Sequence, residues 1–123
     1  MMIMMDDALS YLMNYALAHD IGVVYDTTLP PYAPPVSFVR QRLVVMNGNF
    51  RESEQPFALA HEIGHIMLGH YRFHCNAPVV KYKQEKEADD YATDLLWQCA
   101  EDNNLNYVDF LATYGVPDRM FLD

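Results

Sequence analysis

The residues with the clearest chemical potential form the run His61-Glu62-Ile63-Gly64-His65. On an α-helix, residues four apart lie on one face and are separated by about 6 Å along the axis. His61 and His65 can therefore direct two imidazole nitrogens at one metal ion, while Glu62 lies close enough to act as a general base towards water. The spacing indicates a zinc site suited to peptide-bond hydrolysis, on condition that the run is helical and that a third ligand follows.

The flanking sequence predicts the helix that this pattern requires. Ser53 is a candidate N-cap, and Pro56 falls in the first turn, where a missing N–H costs little. Apolar and small residues recur at helical spacing over residues 57–68, and Gly69 suits a helix C-terminus. We therefore expect a helix of about sixteen residues that carries both histidines. The alternative is a core helix whose histidine face is merely solvated.

A third ligand is needed because a catalytic zinc ion takes three protein ligands and leaves one position open. A third histidine six residues after the second would fit the metzincin pattern, but Tyr71 occupies that position. His70 comes one residue too early for the same role. The metzincin interpretation therefore fails, and a carboxylate on a later helix is the remaining source.

An acidic run, EKEAD at residues 85–89, supplies such a carboxylate. Glu85 and Asp89 are four residues apart and share a helix face. Glu85 is the predicted third ligand, and Asp89 can then accept a hydrogen bond from the second nitrogen of a ligating histidine, which fixes the imidazole orientation. Glu87 is the runner-up ligand, but it faces elsewhere and would leave that supporting role empty.

The acidic run begins a second predicted helix over residues 84–100, which has an apolar stripe and no internal Gly or Pro. Ala88 is small enough to let this helix lie close against the first. The alternative for the carboxylates is a solvated helix start that the macrodipole favours.

Together the two motifs resemble those of the ImmA/IrrE-type metallopeptidases. Residues 57–69 are similar to the F-x-x-A-H-E-[LI]-G-H-x-x-L run of that family, and residues 85–92 (EKEADDYA) resemble its ExEA[ND]xFA segment. Residues 43–47 resemble the short strand, ending in Asn, that precedes the metal helix of the family. The chain departs from the LLMP-like end of the second motif, because it has LLWQ at residues 95–98.

The resemblance implies a zinc metallopeptidase of the gluzincin type, with zinc bound by His61, His65 and Glu85 and with Glu62 as the base. It implies an α+β, zincin-like domain of three or four helices with a short three-stranded sheet. It also implies a protein substrate, for which helix-turn-helix transcriptional repressors of mobile elements or stress pathways are candidates.

Length and charge limit the other possibilities. A chain of 123 residues is predicted to form one domain, residues 1–123. The formal net charge of -9 argues against direct binding of nucleic acid and would suit a basic partner such as a DNA-binding repressor, although solubility alone also explains it. No stretch approaches the ~20 apolar residues of a membrane helix, and the apolar start is too short for a signal peptide. We therefore expect a cytoplasmic protein without a membrane partner.

The remaining sequence predicts the elements around the motifs. We expect a helix at 5–18, a strand at 21–25, two strands at 36–39 and 43–46 that could pair, a loop at 71–83 and a short last helix at 106–114. The strand at 43–46 is predicted to lie beside the cleft and to accept an extended substrate as an added strand.

Three functional hypotheses remain open from the sequence. The first is the zinc-dependent endopeptidase. The second is a non-catalytic regulator that contains zinc and acts by binding a repressor or host protein, and the third is an effector that uses the same site on a host protein. Four further side chains are candidates for binding an oxyanion, although a surface position is the expectation for the two histidines among them: His70, Tyr71, His74 and Tyr91.

Overall fold

The computed structural model describes residues 5–51, 54–70 and 78–102. These residues form three helices and three strands, which confirms the predicted α+β fold. In chain order the elements are α1 (Met5–Ala18), β1 (Gly22–Asp26), β2 (Val36–Phe38), β3 (Leu43–Asn47), α2 (Gln55–Met67) and α3 (Pro78–Asp102). The predicted helix at 106–114 lies outside the described residues.

The three strands form one mixed sheet in the order β1-β3-β2. β1 runs parallel to β3, and β2 runs antiparallel to it, so the predicted pairing of the last two strands is confirmed. A turn joins those two strands, in which the Arg42 N–H donates to the Val39 carbonyl oxygen at 3.2 Å. Arg42 adopts a left-handed backbone conformation with φ 51°. The sequence Arg-Gln-Arg at residues 40–42 does not predict it, because non-glycine residues rarely adopt a positive φ.

β3 is the central strand, so the prediction that it accepts an extended substrate as an added strand is wrong. Both of its edges are hydrogen-bonded to neighbours, so β3 has no edge on which a substrate strand could add. Within the described residues, the outer edges of β1 and β2 are the ones that no strand covers. Any strand addition would therefore have to use β1 or β2.

The core lies between α2 and the elements around it. α2 is nearly surrounded, because all of its residues except Ala58 and Met67 are buried. Each apolar side chain that is fully buried contributes about 1.5–3 kcal/mol relative to an exposed one. The largest fully buried apolar side chains are Leu12, Val44, Met46, Leu59, Ile63 and Leu96. The helix that carries the two motif histidines is therefore held rigidly from several sides.

The ends of α2 follow the predicted signals with one difference. The N-cap is Glu54, which makes no side-chain capping bond, whereas Ser53 lies outside the described residues. Pro56 occupies the first turn as expected. At the other end Gly69 adopts a left-handed φ of 68°, which ends the helix.

α3 begins earlier than the sequence predicted. The loop expected over residues 71–83 is wrong for its second part, because the helix starts at Pro78. Proline suits the first position of a helix, where its missing N–H has no partner to lose. Residues 78–83 are mostly exposed and carry no apolar stripe, so periodicity could not reveal this first turn.

None of the helices in the described part of the chain combines the length and the apolar character needed to cross a bilayer.

Candidate metal centre

Three side chains predicted as ligands meet at one point between α2 and α3. His61 Nε2 lies 3.1 Å from His65 Nε2 and 3.0 Å from Glu85 Oε2. His65 Nε2 lies 3.1 Å from the other oxygen of Glu85. Donor atoms bound at about 2.0–2.1 Å in a tetrahedral zinc site are roughly 3.3 Å apart, which is close to these separations. This His-His-Glu cluster (His61, His65 and Glu85) therefore fits a zinc ion in both donor type and spacing.

Small residues at the helix crossing bring the cluster together. A Cβ atom added to Gly64 would lie 3.2 Å from both the Ala88 carbonyl oxygen and Tyr91 Cβ. Ala88 itself is fully buried at this crossing, as its small size led us to expect. Glu85 lies one turn before Ala88 on α3. Because α3 can approach α2 this closely, the Glu85 carboxylate contacts both His61 and His65.

The histidines are buried, which excludes the interpretation of a merely solvated face. His61 is 9% exposed and His65 is 1% exposed. Asp89 is also buried, and its Oδ1 lies 2.8 Å from His61 Nδ1. A carboxylate can only accept here, so His61 Nδ1 donates to Asp89, and the other ring nitrogen, Nε2, faces the cluster. Asp89 is thus a hydrogen-bond partner of a cluster histidine and no part of a solvated helix start.

Hydrogen bonds and nearby charges shift the pKa values of two groups in the cluster. Burial lowers the pKa of His61, but its hydrogen bonds to Asp89 and Glu85 and the nearby charge of Glu62 outweigh burial and raise it to about 9. Hydrogen bonds from His61 and His65 hold the pKa of Glu85 well below its usual range. At neutral pH the cluster therefore contains an ionised carboxylate and a proton on His61, which a metal ion would have to replace.

Glu62 is positioned for chemistry beside the cluster. Its side chain is 6% exposed, and its Oε2 lies 4.0 Å from His61 Nε2. A carboxylate at this distance is too far from the imidazole for a hydrogen bond but close enough to contact a water molecule located at the cluster. Burial also means that little bulk water competes for its charge.

His70 is the residue that the sequence interpretation missed. We expected a surface position, but His70 is only 6% exposed, and its Nδ1 lies 2.9 Å from His65 Nδ1. Its Nε2 lies 3.0 Å from Glu87 Oε1, so the runner-up ligand contacts His70. Burial lowers the pKa of His70. The available signal was Gly69, since a glycine that ends a helix turns the next residue back towards it.

The other candidates for an oxyanion partner divide into two groups. The Tyr91 hydroxyl is hydrogen-bonded to that of Tyr15, and burial, followed by this contact, raises the pKa of Tyr91. Tyr71 and His74 lie outside the described residues.

Comparison with known proteins agrees with this geometry. The family model described as Peptidase U49 matches residues 26–116, which is well over half of the chain. A similar protein is the "Uncharacterized immunity region protein 2" of Bacillus phage phi105, which is 32% identical over 93 residues. The match covers 66% of this chain and 57% of that relative, so the chain spans less than two thirds of the relative's length. The chain belongs to the peptidase U49 family, and the family resemblance inferred from the two motifs is confirmed.

Proposed function

We propose that this protein is a zinc-dependent endopeptidase, with the His-His-Glu cluster as the metal site and Glu62 as the general base. The observation that supports it most directly is the convergence of the three donor groups within 4.8 Å, beside a buried glutamate, in a chain of a peptidase family. Bound zinc would lower the pKa of water towards ~7 and polarise the scissile carbonyl group.

Glu62 and Asp89 have separate roles in the proposed reaction. Glu62 takes a proton from the attacking water and passes it to the leaving nitrogen, as a carboxylate within reach of both can do. Asp89 keeps His61 in the tautomer that directs Nε2 at the cluster, through the 2.8 Å contact with Nδ1. The helix pair α2 and α3 carries these groups, and their fixed positions limit the reorganisation that a reaction requires.

An extended substrate would bind most simply along the outer edge of β2. That strand contacts α2, and in the described residues no other strand pairs with its outer edge. Val36 and Phe38 are 37% and 44% exposed, so they offer apolar contacts to alternate side chains of a peptide. Backbone hydrogen bonds along this edge would make the binding tolerant of sequence.

The relative and the net charge support a proposal for the class of substrate. The phage phi105 relative is described as an immunity region protein. The net charge of -9 favours a basic partner. We therefore propose a DNA-binding transcriptional repressor as the protein substrate. The alternative function is a regulator that binds such a repressor without cutting it.

Replacement of Glu62 by Gln separates the two functions. Glu62→Gln keeps the size of the side chain but cannot accept a proton, so cleavage of a repressor co-expressed from the same locus should fall by at least ~10²-fold. Zinc content should stay at that of the wild type, because Glu62 is not a proposed ligand. Glu54→Gln is the matched control, since it removes a half-exposed carboxylate at the start of the same helix and should leave cleavage unchanged. Equal relief of repression by the wild type and Glu62→Gln, with the repressor intact in both, would establish the binding function instead.

A further inference from the structure

His65 differs from His61 in what supports its second ring nitrogen. Asp89 contacts Nδ1 of His61 directly, whereas Nδ1 of His65 contacts the imidazole of His70, which in turn contacts Glu87. We propose that His70 and Glu87 act in series as a positioning pair that fixes the tautomer and ring orientation of His65 for metal binding. This inference rests on the proposed function only in that the His-His-Glu cluster binds zinc.

The contacts allow a single consistent placement of the protons when a metal is bound. The Glu87 carboxylate can only accept, so His70 Nε2 carries a hydrogen and donates to it. A neutral His70 then presents an unprotonated Nδ1, which accepts from His65 Nδ1 at 2.9 Å. With its hydrogen on Nδ1, His65 has a lone pair on Nε2, which is the atom that faces His61 and Glu85. The carboxylate therefore sets the tautomer of His65 through one intervening ring.

The backbone explains why His70 is available for this role. The Gly69 N–H donates to the Ile66 carbonyl oxygen at 3.1 Å, and the His70 N–H donates to the His65 carbonyl oxygen at 3.0 Å. This pair of bonds is the Schellman arrangement, which brings the second residue beyond the helix back over its last full turn. His70 is thus bound to His65 through both its main chain and its side chain.

Contacts with imidazole rings also explain three carboxylates near the start of α3. Glu85 contacts both cluster histidines, Glu87 contacts His70, and Asp89 contacts His61. Each of these carboxylates has an imidazole partner, whereas Asp90 and Asp94 on the same helix are exposed. A carboxylate that merely favours a helix start would not require such partners.

The zinc affinities of four single variants and one double variant test whether His70 and Glu87 act in series. His70→Phe keeps a ring of similar size but removes the acceptor, so zinc should bind about 10–100-fold more weakly at one ion per chain. His70→Asn places an amide oxygen where Nδ1 was and should restore most of that loss. Glu87→Ala should weaken binding by about ten-fold, while Asp94→Ala, which removes an exposed carboxylate of the same helix, should leave it unchanged. The double variant His70→Phe/Glu87→Ala should be no weaker than His70→Phe alone, because the two residues act through one contact.

The zinc affinities of these variants are measured on the full chain by competition against a chelator. Two spectroscopic measurements complete the test. The nitrogen chemical shifts of His70 should show a protonated Nε2 and an unprotonated Nδ1 in the zinc-loaded wild type. Cobalt substituted for zinc should give one absorption spectrum in the wild type and in His70→Phe, since neither His70 nor Glu87 is a ligand. Wild-type affinity in His70→Phe, equal losses in His70→Phe and His70→Asn, or a proton on His70 Nδ1 would each overturn the positioning pair. A wild-type chain that binds no zinc would overturn the proposed function together with this inference, which distinguishes the two failures.

Discussion

At the scale of the residue, each motif histidine uses one ring nitrogen for the cluster and the other for a supporting partner. Asp89 contacts Nδ1 of His61, and His70 contacts Nδ1 of His65. Both rings are therefore oriented by these contacts independently of a metal ion. Such partners matter because an imidazole that rotates or changes tautomer withdraws its lone pair from the metal. The cluster therefore depends on atoms beyond the three donor groups.

Asp89 provides the first test at this scale. Asp89→Asn keeps the shape but turns a charged acceptor into a neutral amide, so zinc affinity should fall by ~10–100-fold without being lost. Glu85→Ala should cause a larger loss, because it removes a proposed ligand. The measurement is zinc competition against a chelator of known affinity. Wild-type affinity in Asp89→Asn would show that its contact with His61 does not support the metal.

The raised pKa of His61 predicts a pH dependence of zinc binding. In the metal-free protein that pKa is about 9, so at pH 7 His61 carries a proton that zinc must displace. The apparent affinity should therefore increase as the pH rises, by about ten-fold per unit between pH 6 and 8 from this one proton. Calorimetry in buffers of different ionisation enthalpy would count the released proton. An affinity independent of pH in this range would show that His61 is already neutral.

At the scale of the element, the distance between α2 and α3 decides whether the cluster can form. Gly64 lies at the crossing, where an added Cβ would be 3.2 Å from a backbone oxygen of α3. That contact is tighter than usual and involves main chain, which cannot rotate away as the end of a flexible side chain would. The close approach therefore depends on the absence of a side chain at position 64.

Gly64→Ala tests this close approach. Overpacking costs about 1–3 kcal/mol, whereas the better helix propensity of Ala returns about 1 kcal/mol. We expect a net loss of up to about 2 kcal/mol in the free energy of unfolding, together with weaker zinc binding because Glu85 is pushed away. Ala58→Gly in the same helix is the control, as it measures the propensity difference at a half-buried position. A stabilised Gly64→Ala variant with wild-type zinc affinity would contradict the expectation.

At the scale of the whole molecule, the site links α3 to the part of the fold that comes before it in the chain. α2 contacts α1 and the sheet, and the cluster joins α2 to α3 through Glu85. A ligand that binds the folded state alone adds RT ln(1 + L/Kd) to the free energy of unfolding, where L is the free ligand concentration. Bound zinc should therefore stabilise the complete fold in addition to its proposed catalytic role.

Removal of zinc should accordingly lower the thermal stability. At a free zinc concentration of roughly a thousand times the dissociation constant, binding contributes about 4 kcal/mol. A chelator should thus lower the unfolding temperature of the wild type by several degrees, while Glu85→Ala should unfold at nearly the same temperature with and without it. Differential scanning calorimetry provides the measurement. Equal shifts in both proteins would place the stabilising metal somewhere else.

The sequence by itself determined the features that depend on local spacing. Residues four apart on a helix share a face whatever the tertiary structure, so the pairs His61/His65 and Glu85/Asp89 could be recognised before any fold was known. The ends of α1 followed from periodicity. The pairing of β2 with β3 was predicted from two neighbouring strand segments without a turn signal, and the class of fold was implied by the family resemblance.

The tertiary structure alone decided the features that join distant segments. β3 became the central strand because β1 pairs with its other edge, and no local pattern in a strand tells on which side its neighbours lie. His70 is buried against His65 because a left-handed Gly69 turns the chain back, and Glu87 meets it because α3 crosses α2 at Gly64. Contacts between side chains that are distant in sequence leave no periodic pattern in it. The role of such side chains therefore becomes visible only in the packed tertiary structure.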